Sequence, residues 1–197
     1  MDPHRIAVKL YLEDPQGLDP EELVPVFHRF IREELVDGIP IDVARYAHVV
    51  DGPGVLIIGH RKDYSLDLAD GRPGLAATWK RDPEGDLADR IATLVADVAR
   101  FSVELQADPA IGARARVGTG EVRITLLDRY EAPNDDATLL GAEPAVREVI
   151  TGLVEPGGDE AMSIERLGTH REPFAVRVSL DQPRPLIQWA EGVGAAA

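Results

Sequence analysis

Residues 39–81 read IPIDVARYAHVVDGPGVLIIGHRKDYSLDLADGRPGLAATWKR, and this stretch decides the fold class. Asp51-Gly52-Pro53-Gly54 is dense in turn formers: glycine accepts positive φ and proline presets its own. Apolar runs on both sides make the tetrad the centre of a predicted hairpin. With Val50 opposite Val55, His48 opposite Ile57 and Arg45 opposite His60, alternation puts Ile41, Val43, Ala47, Val49, Leu56 and Ile58 on a core face. Arg45 and His60 stand at the far end of that face. The other face carries Asp42, Ala44, Tyr46, His48, Val50, Val55 and Ile57, too apolar for plain solvent exposure and too polar for a deep core. It needs a cover, either the rest of the chain or a second copy, which makes Tyr46, His48 and Ile57 the interface candidates. Beyond Gly59 the text turns polar, resumes as a strand over 64–68, and turns again at Ala69-Asp70-Gly71-Arg72-Pro73-Gly74 before 75–81. An antiparallel meander of three or four strands is expected.

Upstream, residues 5–12 alternate Ile6, Val8 and Leu10 against Ala7, Lys9 and Tyr11, the pattern of a strand with one buried face. Asp19, followed by Pro20, Glu21 and Glu22, marks a helix start, with a cap acceptor, a proline in the first turn and acids at the positive end of the dipole. Its apolar stripe is Leu23, Phe27, Phe30, Ile31 and Leu35, interrupted by Pro25, and Gly38 stops it. Downstream, Asp86 caps a long helix bearing Leu87, Ile91, Leu94, Val95, Val98 and Leu105. A strand follows over 121–130, a helix over 144–154, and two strands over 162–167 and 174–180.

The order strand, helix, hairpin thus occurs on both sides of the long helix. The expected class is α+β with a mainly antiparallel sheet and an internal duplication of a βαββ unit joined by that central helix. The expected organisation is a first half over 1–109, a second over 110–182 and a flexible tail over 183–197, the whole packing as one compact domain.

Composition narrows the function. Among 197 residues, 44% are hydrophobic, enough for a proper core. Lys and Arg number 21 against 35 Asp and Glu, a formal charge of -14, which repels phosphate backbones and anionic bilayers over the screening length. Neither nucleic acid nor membrane is an expected partner. With no cysteine, disulfides, thiolate zinc sites and cysteine nucleophiles are excluded. The opening Met1-Asp2-Pro3-His4-Arg5 is unlike a secretory signal, and no run approaches the roughly 18 apolar residues of a membrane span, so a cytoplasmic location is expected.

The candidate chemistry is sparse. His48 and His60 lie on one predicted hairpin but point to opposite faces, so no metal site and no cofactor is expected. His60, Tyr64 and Asp67, with Arg45 opposite His60, form the best polar constellation, a histidine leaving a buried strand followed by a phenol and a carboxylate. Against it stands the plainer reading of a strand-end cap and a structural ion pair. Arg129 and Asn134, after the strand of the second half, are further ligand candidates. Trp79 and Trp189 read as packing residues. Gly52-Pro53-Gly54 and Gly118-Thr119-Gly120 are turns, because neither sits between a strand and a helix as a phosphate loop must. No serine or threonine has nucleophile spacing. The expectation is therefore a non-enzymatic module that self-associates as a homo-oligomer and binds a protein partner or small ligand, with the first hairpin at the interface. The alternative is an enzyme or small-ligand sensor with a pocket near His60, Tyr64 and Asp67.

Overall fold

The alternating run Ile6, Val8, Leu10 builds the centre of a sheet. A computed structural model describes residues 2–14, 18–46, 48–49, 52–154 and 162–192. Eight strands, β1 (Ile6–Leu12), β2 (Pro40–Tyr46), β3 (Gly54–Gly59), β4 (Lys62–Asp67), β5 (Gly74–Trp79), β6 (Val117–Leu126), β7 (Met162–Leu167) and β8 (Phe174–Leu180), form one sheet in the order β2-β3-β4-β5-β1-β6-β8-β7. Every neighbouring pair is antiparallel. Four helices, α1 (Pro20–Arg32), α2 (Leu87–Gln106), α3 (Asp136–Thr151) and α4 (Leu186–Ala190), complete the α+β fold.

Strand register sorts the side chains into two faces. Val55, Ile57, Tyr64, Leu66, Leu75, Ala77, Ile6, Val8, Leu10, Val122, Ile124, Val176 and Val178 share one face, and none of them is more than 1% exposed. Helix α1 packs over β2 and β3 on that side, α2 over β1 and β5, and α3 and α4 against α2. Phe27 and Phe30 of α1 and Tyr64 of β4 all meet the Phe101 ring of α2, with centroids 5.5, 5.9 and 5.4 Å away. This aromatic knot ties both helices to the sheet.

The helix starts follow the capping chemistry. Asp19 accepts from Glu21 N at 2.9 Å, and Asp86 and Asp89 form a reciprocal box in which each side chain accepts the other's backbone N–H, at 3.0 and 3.1 Å. Pro25 sits inside α1 without ending it. Helix α3 starts at Asp136 rather than at Pro144, because Asp135 caps it by accepting Thr138 N at 2.8 Å and Pro144 is absorbed inside. The segment expected to be a loose tail folds as far as α4, whose Trp189 is 1% exposed and donates to Leu153 O at 3.2 Å. A buried indole against α2 is what orders it. Residues 193–197 of that expected tail lie outside the described residues.

The first hairpin is displaced from its expected register. Val55 stands opposite Arg45, Ile57 opposite Val43, and Gly54 opposite Tyr46. An odd displacement exchanges one strand's faces relative to the other. Val55 and Ile57 therefore enter the core, whereas Leu56 and Ile58 face the opposite side and Ile41, beside a bulge, is 62% exposed. The cause is Gly54, which is a strand residue rather than part of the turn. At φ +61 its backbone approaches β4 so closely that a Cβ would stand 2.4 Å from Leu66 O. Ala47, Val50 and Asp51, which the sequence places in this hairpin, lie outside the described residues.

The faces make opposite predictions for neighbouring isoleucines. Ile57→Ala should lower the unfolding free energy by about 2–5 kcal/mol in urea denaturation. Ile41→Ala should change it by less than about 0.5 kcal/mol, as expected for a surface position.

Candidate functional site

The sequence-predicted site residues do not meet. His60 is exposed in the β3–β4 turn, where its backbone N–H donates to Ile39 O at 2.9 Å. Asp67 lies at the other end of β4, about 17 Å of strand away. Tyr64, between them, points into the helical side, and burial together with the Asp97 and Asp37 charges pushes its phenol pKa upward. Among the described residues no hydrogen bond of regular geometry reaches its hydroxyl, although the Asp37 backbone amide acts on it. Arg45 faces Val55 instead of His60 and pairs with Glu21 of α1 at 2.5 Å. Arg129 is exposed beyond β6, which lies five strand spacings from β2, or on the order of 24 Å. Asn134 is 2% exposed, and its amide is used internally, donating to Leu167 O at 2.8 Å and accepting from Arg166 at 3.0 Å. Among the described residues no three His, Asp or Glu side chains could share a metal ion, and no helix is long and apolar enough to cross a membrane.

Polar groups do converge on the sheet face opposite the helices. Register places Ser65, Ala76, Lys9, Arg123, Arg177 and Glu165 in one row across β4, β5, β1, β6, β8 and β7. The adjoining row is Asp63, Thr78, Ala7, Thr125, Ala175 and Leu167. Small side chains in the centre of the adjoining row, with Ser65 and Ala76 of the first, leave a trough of about 710 Å³, bounded by Gly52-Pro53, Ala69-Asp70 and the Gly168 to Pro173 turn. Three cations stand directly opposite one another in the first row, an arrangement that repels unless carboxylates intervene.

Four carboxylates do so. The Lys9 side chain is only 3% exposed, and its ammonium reaches Asp70 at 3.1 Å, Asp67 at 3.3 Å and Ala69 O at 2.9 Å. Asp70 also accepts from the Tyr11 hydroxyl at 3.1 Å and is paired with Arg123. Arg177 lies 2.9 Å from Glu121 and 3.2 Å from Glu165. Gly74 makes room for this network, because a Cβ there would lie 2.8 Å from Lys9 Cε. Burial alone would raise the Asp70 carboxyl, but Lys9, Arg123 and Tyr11 overcome it and hold the group below its ordinary 3.8.

On the helical side a second cluster is buried more deeply. Lys62, 5% exposed, donates to Asp97 at 2.7 Å and to Asp37 at 2.9 Å, and its ammonium sits 4.8 Å from the centre of the Trp79 ring. Burial raises the Asp97 carboxyl, partly offset by Lys62 and Arg100. The geometry fits a structural clamp between β4, α2 and the segment after α1.

None of Lys9, Tyr11, Asp70, Arg123, Arg177, Lys62 or Asp97 was singled out by the sequence. For Lys9 one signal exists: it occupies the same strand face as Ala7 and Tyr11, where alternation alone reads solvent.

Two ion-pair predictions follow from this geometry. Lys62→Met leaves buried Asp97 with only the half-exposed Arg100, at 3.0 Å, as a cationic partner; it should destabilise the fold by up to about 3 kcal/mol, while Lys62→Met with Asp97→Leu should recover most of it in urea denaturation. The Asp70 contribution is fully present above pH 3.8 and is lost as pH falls through the lower folded value. Asp70→Asn should therefore flatten the acid limb of the melting-temperature profile.

Among the described residues the terminal strand β2 has a strand neighbour on one side only, with the Val43 N–H donating to Asp42 Oδ1 at 2.8 Å, and four of the seven exposed large hydrophobic side chains lie on or beside it. Ile39 is 64%, Ile41 62%, Tyr46 42% and Val49 41% exposed, and the Tyr46 ring stacks on that of His48 at 6.4 Å. Of the sequence-predicted interface residues, Tyr46 and His48 are on this surface, whereas Ile57 is fully buried within the chain. Comparison with protein-family models and with curated proteins gives no match, so similarity assigns the chain to no family and the functional reading rests on this geometry.

Proposed function

We propose that this chain is a non-enzymatic binding module that associates with a second copy of itself through the β2 edge of its sheet. The observation that carries the reading is the coincidence of an unpaired strand edge with exposed Ile39, Ile41, Tyr46 and Val49. An open edge with apolar flanks is a template for another strand; Pro40 and the bulge beside it confine such pairing to the stretch from Asp42 to Tyr46. A second copy is the occupant that supplies the same edge, and antiparallel pairing of β2 with itself closes after two subunits. The opposite edge, β7, differs in character: Ser163 and Glu165 are exposed there, and Arg166 is tied to Asn134 and Asp136.

The alternative reading, an enzyme or sensor built on His60, Tyr64 and Asp67, requires these three side chains to share a pocket. Their separation along β4 and their opposite faces speak for the association reading.

The same proposal includes an internal duplication. What supports it is topology: β1 and β6 lie side by side and antiparallel at the centre of the sheet, each flanked by the last strand of its own half, β5 or β8. Each of those last strands leads into a helix, α2 or α4, and each first strand precedes one, α1 or α3. The hairpin β2–β3 is then an addition to the first half, and it carries the associating edge.

Sedimentation equilibrium tests the association. The unaltered protein should sediment as a dimer and Ile41→Glu with Tyr46→Glu as a monomer of unchanged melting temperature. A monomeric unaltered protein, or a mutant that remains dimeric, would remove the proposal.

A further inference from the structure

Asp70 occupies an unusual position for a surface carboxylate. It is carried by the short turn 69–71 with φ +61, in the left-handed region that a non-glycine residue enters at some strain, although aspartate tolerates it better than most. From there its side chain reaches over the sheet to three donors on two strands: Lys9 Nζ, the Tyr11 hydroxyl and the Arg123 guanidinium. Three convergent donors, one of them an almost fully buried ammonium, make a carboxylate cradle. The residue filling it comes from a connecting turn, not from the sheet that forms it.

The cradle is also incompletely used. Asp70 engages Arg123 through one terminal nitrogen, and among the described residues the buried Nε–H of Arg123 has no hydrogen-bond partner. A carboxylate free of the turn could orient to take two guanidinium N–H groups, the geometry that makes arginine a strong carboxylate ligand. Beside the cradle, Ala7, Thr78, Thr125 and Ala175 give the trough a floor of short side chains with two hydroxyls, room for the body of a small molecule and little that would repel it.

We propose that the open-face trough is a binding site for a small organic acid, in which Asp70 stands in for the ligand's carboxylate until the ligand displaces it. The ligand carboxylate sits on Lys9, Tyr11 and Arg123, and its uncharged body lies along Ala7, Thr78, Thr125 and Ala175. Charge balance selects a monoanion. Exchanging one carboxylate for another leaves the row of Lys9, Arg123 and Arg177 compensated as before, whereas a neutral ligand would strip Arg123 of its carboxylate. Asp70 also sets the affinity, because every ligand must first break its three contacts. This site is independent of the β2 edge and stands or falls separately from self-association.

Titration with hexanoate, with hexanamide as the uncharged control, tests the proposal. Asp70→Asn keeps a residue that tolerates positive φ and removes the competing charge. It should bind hexanoate at least about tenfold more tightly than the unaltered protein, read as a rise in melting temperature and by calorimetry. Hexanamide should shift neither protein, and adding Arg123→Gln to Asp70→Asn should abolish hexanoate binding. Equal affinity in the two proteins, no binding to Asp70→Asn, binding of hexanamide as strong as that of hexanoate, or indifference to Arg123→Gln would each overturn it. Should Asp70→Asn fail to fold by circular dichroism, the unaltered protein decides: hexanoate binding that Arg123→Gln removes supports the site, and no binding at 50-fold higher protein and ligand concentrations, roughly the range where millimolar affinities are seen, overturns it.

Discussion

Strand β1 is paired on both sides, with β5 on one edge and β6 on the other, and this double pairing joins what would otherwise be two separate half-sheets. Its face of Ile6, Val8 and Leu10 is completely buried, in the same apolar cluster as Ile91, Leu94, Val95 and Val98 of α2. Burying such side chains contributes about 1.5–3 kcal/mol each, and here the gain is concentrated at the seam. The seam in turn fixes register. Once Val8 must point to the helices, Lys9 must point away from them, and every residue in its row across the sheet follows.

Helical cover on one face therefore has two consequences. The opposite face of the central strands stays open, and its small side chains leave a trough where the Lys9, Arg123 and Arg177 row must be neutralised by carboxylates from turns and neighbouring strands. The sheet also ends without closing, so among the described residues β2 has a strand neighbour on one side only. The chain treats these exposed regions differently. Ion pairs and hydrogen bonds populate the trough, whereas Ile39, Ile41, Tyr46 and Val49 flank the edge. Polar organisation suits a small ligand, and an apolar margin suits a macromolecular surface.

Much of the fold was legible because local chemistry determines it. The alternation of β1, β7 and β8, the Asp19 and Asp86 caps and the α2 stripe all act within a few residues of themselves. The hairpin register was not, because Gly54 answers to a distant contact with Leu66 O rather than to its turn neighbours. Helix α3 was read late because Pro144 is a stronger local signal than the Asp135 cap that starts it. Of the site almost nothing was legible. Lys9, Asp70 and Arg123 are far apart in sequence, and only register and a turn bring them together. His60, Tyr64 and Asp67 were close in sequence and looked like a cluster, but strand geometry sends them to different places. Proximity along a strand is poor evidence of proximity in a site.

The central claim is that β2 is an interface between copies of this chain. Its most direct test is hydrogen exchange at the backbone amides of residues 41–46 that do not bond to β3, followed as protein concentration is raised. Protection at these amides that grows with concentration, while β7 stays unchanged, is the result this structure predicts. Fast exchange at every concentration would show that the edge remains free in solution and would contradict the account.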